Sequence, residues 1–408
     1  MPLKVLFFDH TAKLGGGELA LLHLLRYLDK RRFQPVVVLG EEGPLAEKLR
    51  ESKIETCILP LGSGIADTRK DSLGVNSLLQ LRAIWAALFY CWKLTRFIKL
   101  RNIDLVHTNS LKADIIGGVS ARLAGVPVVW HVRDRIDSDY LPALVARAFR
   151  VCCRIIPSYI VANSAATLET LHLHGGVHST VVHSGSAVVH DGVVPRGTTR
   201  KGISQSARVG LVGRITPWKG QHIFLASAVE VKRRFPFAKF QIIGSAMFGE
   251  EAYESEIRNL AHSLGLDDCV EFTGFRKDVP RLIDALDLLV HASTTGEPFG
   301  QVIVEGMVAR KPVVATRGGG VPEIVQDGIT GILVPMGDSV AMAQAICELL
   351  SDPGRACLMG EAGYERVMHN FTVEMTARRL ENVFEKVMPR ASNPPELAIT
   401  PATKDAIQ

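Results

Sequence analysis

Short, unbroken apolar runs alternate with longer amphipathic patterns along almost the whole chain, and that alternation leaves few folds open. Strands are expected at Val5–Phe8, Val36–Leu39, Glu55–Leu59, Asp104–His107, Val128–Trp130, Tyr159–Ala162 and Thr180–Val182. Helical patterns separate them, beginning near Gly17, Pro44, Leu73, Leu111, Asp139 and Ser164. A strand that is apolar on both sides must be covered on both. Helices between consecutive strands supply that cover and the crossovers of a parallel sheet. Between Ser184 and Ser206 the periodicity lapses into Gly, Pro, Ser, Thr and basic residues, the composition of a linker. It then restarts, with strands expected at Ala207–Val212, Lys239–Ile243, Cys269–Phe272, Leu288–His291, Pro312–Ala315 and Ile332–Val334. A last pair of helices runs from Pro353 to near Val387. The reading is an α/β chain with a first domain over 1–190, a linker over 191–206 and a second domain from 207 to 371. A loose tail is expected over 389–408.

Composition agrees with that reading and removes other classes. With 408 residues, 47% of them hydrophobic and 22% charged, the chain has material for two or three well-cored domains. A net charge of +5 does not by itself argue for nucleic acid, and none is expected as a partner; it suits an anionic ligand or an anionic membrane surface. The seven cysteines are odd in number and show no C-x-x-C spacing. The N-terminus runs straight into a strand pattern with no signal-peptide signature. Both point to a reducing, cytoplasmic compartment. No stretch reaches the ~18–20 apolar residues that span a bilayer.

Open parallel sheets bind ligands at the carboxyl ends of their strands, so polar residues just beyond those ends are the candidates. After strand Val209–Val212 comes Gly213-Arg214-Ile215-Thr216-Pro217-Trp218-Lys219-Gly220 and then a helix. Two cations and a helix N-terminus at one place call for an anion, and a diphosphate fits. After strand Leu288–His291, Glu297 stands just before a helix and Glu305 within it. Eight helical residues would set them about 12 Å apart, too far for a glycosidase acid/base pair, unless the chain between them is not helical. The cluster Arg317-Gly318-Gly319-Gly320-Val321-Pro322-Glu323 follows strand Pro312–Ala315, where glycines let backbone N–H groups approach a ligand or simply turn the chain.

In the first half, Gly15-Gly16-Gly17-Glu18-Leu19-Ala20 reads as G-x-G-x-x-A, with Glu41 at the end of the second strand. That is nearly a dinucleotide fingerprint. The intervening His10 to Leu14 make a looser loop, better suited to a phosphate or sugar. His131 follows Val128–Trp130 and either donates to a sugar or sits as a half-buried structural residue. Asp137-Ser138-Asp139 is a formal D-x-D and reads as chance or a helix cap. His172, His174, His178, His183 and His190 lack a carboxylate framework, and no metal is expected. Basic residues recur on two helical faces, Lys93, Arg96 and Lys99 beside Trp85-Phe89-Tyr90-Trp92, and Arg147, Arg150 and Arg154. Over 80–160 the cations exceed the anions by seven, against five for the whole chain. Such a face either rests on anionic lipid or is the wet side of a core-facing helix.

Together these residues resemble the family-4 retaining glycosyltransferases (glycosyl transferases group 1). The resemblance spans roughly 3–388 and is strongest in G-R-I-T-P-W-K-G, E-P-F-G-Q-V-I-V-E-G-M and R-G-G-G-V-P-E-I-V-Q-D-G-I-T-G-I-L-V. It implies the GT-B fold, two facing Rossmann-like domains with the site in the interdomain cleft and a last helix, 372–388, crossing back to the first domain. By resemblance Arg214 and Lys219 hold the donor diphosphate, and Glu297 contacts the donor sugar. Backbone N–H groups at Phe299 and Gly300, with Gln301, line the same site. Glu305 takes the ribose hydroxyls, and Arg276 lies where the base is held. Gly15, Gly16, Gly17 and His131 are implied as first-domain contacts. The implied activity is a metal-independent, cofactor-free, retaining transfer of a hexose from a nucleotide sugar to a glycan or lipid-linked acceptor. Cell-surface polysaccharide or glycolipid synthesis at the inner face of the membrane is the implied setting. A sugar-nucleotide epimerase of the same fold, an NAD-dependent oxidoreductase and a non-catalytic nucleotide-sugar binder are the other readings.

Overall fold

The computed structural model describes residues 2–62, 77–137, 140–173, 175–187, 206–247 and 249–388. The expected linker, apart from Ser206, and the expected tail lie outside the described residues. Within them stand two wholly parallel sheets. The first comprises β1 Leu3–Asp9, β2 Phe33–Leu39, β3 Glu55–Ile58, β4 Leu105–Thr108, β5 Val128–Val132, β6 Tyr159–Ala162 and β7 Ser179–Val181, in the order β3-β2-β1-β4-β5-β6-β7. The second comprises β8 Arg208–Val212, β9 Lys239–Ile243, β10 Val270–Gly274, β11 Leu288–His291, β12 Val313–Thr316 and β13 Ile332–Val334, in the order β10-β9-β8-β11-β12-β13. Each order reverses once, between β1 and β4 and between β8 and β11. Those switch points open a crevice at the carboxyl ends, and this is the fold of two Rossmann-like domains that the sequence led us to expect.

Side chains of a strand alternate between faces, and the two helical layers divide them accordingly. On the first sheet, Val5 and Phe7 pack with α1 (Gly16–Tyr27) and α2 (Pro44–Glu51). Leu6 and Phe8 pack on the other face with α3 (Ser77–Leu100), α4 (Leu111–Ala124) and α5 (Ala143–Ile155). A short helix, α6 (Ala165–Thr170), follows β6, with the Ser164 hydroxyl capping its N-terminus. On the second sheet, Val209, Leu211 and Val290 meet α7 (Gln221–Arg234), α8 (Glu251–Ser263) and, further along the chain, Ser339–Ser351. Leu289, Val313 and Ala315 meet the opposite layer, of α9 (Val279–Asp284), α10 (Gln301–Val308) and α11 (Val321–Ile324). The Ser339–Ser351 helix is α12, and α13 (Pro353–Asn370) follows it.

The last helix, α14 (Val373–Val387), leaves the second sheet and packs on the first. Its entry is fixed by backbone hydrogen bonds, Ser186 N–H to Phe371 O at 2.9 Å and Val373 N–H to Ser186 O at 3.2 Å. Glu381 then accepts the Asp29 N–H at 2.8 Å, and the Phe384 ring lies 6.1 Å from Phe7 and 5.5 Å from Phe33.

Two expectations change. Strand β5 runs to Val132, two residues further than its apolar run suggests, so His131 lies inside it. The second basic face is not a free one: Arg150 donates to Thr170 O at 2.8 Å and Ile136 O at 2.5 Å, and Arg154 to His172 O at 3.2 Å.

Phe384 has no accessible surface, and its ring is what fastens α14 to the first sheet. Phe384→Ala is expected to lower the stability of that domain by about 3–5 kcal/mol, read as a lower urea midpoint of its unfolding transition.

Candidate functional site

The second sheet builds the charged part of the site at its switch point. Beyond β8 the chain makes a 3-10 turn, Pro217–Lys219, and enters α7 through Gly220. Gly220 has φ +70°, and a Cβ there would stand 1.9 Å from Ala292 O, so only glycine lets the start of α7 press against the end of β11. That approach carries Lys219 to the loop after β11. Its Nζ stands 2.8 Å from Glu297 Oε2 and 4.2 Å from the centre of the Trp218 ring. The Ser293 hydroxyl donates to the same oxygen at 2.9 Å, and His291 Nε2 stands 3.2 Å from it. Burial alone would raise the Glu297 carboxyl. The Lys219 ammonium and the hydrogen bond from His291 outweigh it and hold the group well below the usual carboxylate range.

The glycine cluster beyond β12 completes this wall. Gly320 N–H donates to Glu297 O at 2.8 Å, and Gly319, at φ +58°, would drive a Cβ to 2.0 Å from the same carbonyl oxygen. Two motifs that are separate in sequence are therefore stitched at Glu297. The helix α10 begins only at Gln301, so the chain between Glu297 and Glu305 is half non-helical, and the expected 12 Å rise does not apply. Glu305 is half-buried. Burial pushes its carboxyl up to about 7, a shift eased by a hydrogen bond from Gln301. Gln301 Oε1 is buried without a hydrogen-bond partner among the described residues, an acceptor that a ligand hydroxyl or N–H could fill.

Of the other expected donor contacts, Phe299 is buried, its ring 5.8 Å from that of His183 and 6.1 Å from that of Phe371. Only its backbone is placed to meet a ligand. Gly300 caps α10 at φ +115°. Arg276 stands apart, beyond edge strand β10, exposed and paired twice with Asp278 at 2.8 Å. Arg214 is exposed on the turn after β8 and lies near Tyr140 of the first domain.

In the first domain, Gly15, Gly16 and Gly17 open α1, and Gly15 N–H donates to Glu18 at 3.0 Å. Burial, with Asp9 nearby, raises the Glu18 carboxyl to about 7. Glu41, the acid of the near-fingerprint, accepts from Thr11 Oγ1 at 2.6 Å and Ala12 N at 3.2 Å. It ties down this loop, and that engagement argues against a nucleotide ribose there.

His131 requires a correction. It lies within β5 with no accessible surface, its Nδ1 3.2 Å from His107 Nε2. Burial and the Arg133 charge hold the ring well below the usual histidine range, and its Nε2 is buried without a hydrogen-bond partner among the described residues. The side chain that emerges from this strand end is Arg133. Its Cδ would stand 3.4 Å from a Cβ on Gly17, and it donates to Asn109 Oδ1 at 2.7 Å and Ser184 Oγ at 2.9 Å. Burial lowers the guanidinium to about 10, still charged at neutral pH. Of the D-x-D, Asp137 pairs with Arg135 at 3.2 Å, and Ser138 and Asp139 lie outside the described residues.

The domains meet through contacts that the sequence does not announce. Glu323 accepts the N–H groups of Ala165 and Ala166, both at 2.9 Å, and stands 2.8 Å from His183 Nε2. Ser164 Oγ donates to Pro298 O at 2.5 Å, and Arg135 Nη1 to Gly296 O at 3.3 Å. Each contact grips the loop that carries Glu297 or the glycine cluster behind it. The result is a crevice with fixed cations and one strongly acidic carboxylate on one wall and Arg133 with the Gly15–Gly17 loop on the other. It can hold an elongated anionic ligand and stabilise negative charge that develops on it.

Comparison with known proteins agrees with this geometry. Residues 206–352 match the family described as Glycosyl transferases group 1, and residues 14–187 the family described as Glycosyltransferase Family 4. A D-inositol 3-phosphate glycosyltransferase of Corynebacterium aurimucosum is 30% identical over 308 residues, 70% of this chain and 72% of the relative. The lipopolysaccharide core biosynthesis mannosyltransferase LpsB of Rhizobium meliloti is 32% identical over 182 residues, 44% of this chain. There, as in other curated relatives it matches, the chain spans about half the relative's length, 52% for LpsB. The crystal structure of Anabaena HepE in complex with UDP and glucose superposes with a TM-score of 0.80 and 27% identity, covering 94% of this chain and 100% of that one.

Gly319→Ala should disturb the site more than Gly328→Ala. Both have positive φ, +58° and +75°, but only Gly319 would meet a backbone oxygen, whereas Gly328 faces open space. Strain of this kind costs on the order of 1–3 kcal/mol, and the excess for Gly319→Ala is read from denaturant unfolding of the two variants side by side.

Proposed function

Because the chain belongs to the group 1, family-4 glycosyltransferases, we propose that it transfers a hexose from a nucleotide-diphosphate sugar to a glycan or lipid-linked acceptor. Transfer proceeds with retention at the anomeric carbon and without a metal. The observation that carries this reading is the Lys219–Glu297 pair, its carboxylate buried and its ammonium half-buried at the switch point of the second sheet, with Arg214 on the same wall. The complex of HepE with UDP and glucose supports a nucleotide sugar as the ligand class.

In the proposed reaction the bond from the anomeric carbon to the diphosphate oxygen breaks, leaving positive character on the sugar and negative charge on the nucleoside diphosphate. Arg214, Lys219 and the N-terminus of α7 stabilise that leaving group. Glu297, held ionised by Lys219 and His291, accepts from sugar hydroxyls. The acceptor oxygen attacks from the same face, and its proton passes to the departing phosphate, so no separate base is assigned. Glu305 accepts the two ribose hydroxyls, with Gln301 beside it. Arg133 and the N-terminus of α1 face the acceptor side of the crevice.

Lys219→Ala is expected to lower turnover of UDP-glucose or GDP-mannose, followed as nucleotide release, by about 10²–10³-fold with the fold intact by circular dichroism. Near-normal turnover would remove the leaving-group role. Product analysis by NMR separates retained transfer from epimerisation of the donor.

The Glu305 carboxyl, raised to about 7, sets a pH dependence. Only the ionised form accepts both ribose hydroxyls, so affinity for UDP-glucose should rise as pH increases from 6 to 8. Glu305→Gln should bind more weakly and lose that rise. Titration calorimetry at the two pH values checks both.

A further inference from the structure

The outer surface of the first domain carries a feature that the proposed reaction does not use. Seventeen large apolar side chains are exposed among the described residues, and nine of them lie on the single helical layer formed by α3, α4 and α5. The densest part is on α3. Trp85, Leu88, Phe89 and Trp92 are 71%, 54%, 56% and 53% exposed. They fall at i, i+3, i+4 and i+7, so they form one stripe along the helix. The opposite stripe, Tyr90, Cys91, Leu94 and Ile98, is buried against the sheet. Packing against the sheet therefore explains one side of α3, and among the described residues the aromatic side stays exposed, with Phe89 and Trp92 stacked on each other at 5.8 Å.

Charge decides what fits that side. From Ser77 to Leu100 the helix has four basic residues and no acidic one. Lys93 Nζ lies 4.6 Å from the centre of the Phe89 ring, and the Arg96 guanidinium 5.9 Å from that of Trp92. The cations are thus held beside the aromatic rings rather than on a separate face. Exposed Trp and Phe with interleaved Lys and Arg suit the boundary between lipid headgroups and acyl chains, where rings sink and cations meet phosphate. A second copy of the chain fits poorly, because a two-fold contact would set one wholly cationic helix against its twin.

Position points the same way. Tyr90 O–H donates to Leu59 O at 2.9 Å, and its ring lies 6.1 Å from that of Phe8, so Tyr90 sits level with the carboxyl ends of β1 and β3. Trp85 lies five residues nearer the start of α3, about 7.5 Å further in the direction of those ends. The stripe reaches toward the edge of the sheet where the crevice opens. No helix among the described residues is long and apolar enough to cross a membrane.

We propose that the exposed face of α3 is a docking surface for a membrane bearing anionic lipid, seated by Trp85, Phe89 and Trp92 and held by Lys93, Arg96 and Lys99. Docked in this way, the chain brings the mouth of the crevice beside the headgroups. The benefit to a lipid-linked acceptor rests on the function proposed above, whereas the docking itself does not.

Flotation of the full chain with vesicles tests it, using phosphatidylcholine alone or with one-third phosphatidylglycerol, at low salt and at 0.5 M NaCl. Binding is expected to the anionic vesicles at low salt, with a blue shift of tryptophan emission. Lys93→Glu/Arg96→Glu should weaken it at least about thirty-fold, at roughly fivefold for each cation removed. Trp85→Ala/Phe89→Ala/Trp92→Ala should abolish the blue shift. Melting curves with UDP-glucose, run on the same samples, report donor binding separately, and the α3 variants should match the parent there. Lys93→Gln/Arg96→Gln serves if the charge-reversed variant melts early. The proposal is overturned if the parent chain stays with the soluble fraction, or if the variants bind as it does. It is also overturned if the aromatic substitutions turn a lipid-free dimer into a monomer in sedimentation velocity.

Discussion

The centre of the molecule depends on keeping one carboxylate charged where little water reaches it. An isolated buried carboxylate would take up a proton or cost several kcal/mol. Glu297 avoids both because Lys219 and Ser293 donate to the same oxygen and His291 stands within contact of it. Each partner comes from a strand end at the switch point. Lys219 follows β8, while His291 and Ser293 close β11. Thr316, at the end of β12, then stands 3.3 Å from His291 Nδ1 and donates to Ser293 O at 2.8 Å. Three neighbouring strands thus contribute to one ionised group, and removing any of them would leave a buried polar atom unmatched.

That constraint extends to the first domain through the backbone of the same loop. Gly296 and Pro298, on either side of Glu297, offer their carbonyl oxygens to Arg135 and Ser164. Glu323, from the cluster that seats on the Glu297 backbone, caps α6 of the first domain and pairs with His183. Burial would raise the Glu323 carboxyl, but His183 and the two backbone N–H donors keep it below its ordinary value. The domains are joined in part by the elements that position Glu297, so a change in their relative placement would bear on the loop that carries it. The return of α14 to the first sheet adds an apolar tie that does not depend on charge.

Much of this was legible in the residues, and the limits have physical causes. Apolar runs located all thirteen strands of the described residues to within three residues at either end, because strands buried on both faces leave a strong signal. The linkage of Arg214, Lys219, Glu297 and Glu305 to strand ends was also readable, since position at a carboxyl end is a property of order along the chain. His131 was misplaced for the opposite reason. Val132 continues the strand, but the polar His131 breaks the apolar run and mimics its end. Arg133 was visible beside the D-x-D, yet only a structure shows that it crosses to Gly17 and Asn109. The partners of Glu323 lie 140 and more residues away, and no local pattern reports a contact at that separation.

The ion pair also bears on how such a site prepares for its ligand. A free lysine side chain loses up to about 2 kcal/mol of rotamer entropy when it is fixed. Lys219 is already fixed, by Glu297 on one side and the Trp218 ring on the other, so that loss is met in folding rather than in binding. An ammonium has three donors, and one contact to Glu297 would leave two for the diphosphate of the proposed donor. In the proposed reaction, as negative charge grows on the leaving group, its attraction to this ammonium grows without any rearrangement of the wall. An interaction that strengthens along the reaction while its geometry stays fixed is the kind that lowers a barrier instead of merely tightening the ground state. In the reaction proposed above, the same pair that keeps Glu297 ionised is therefore the one that meets the leaving group.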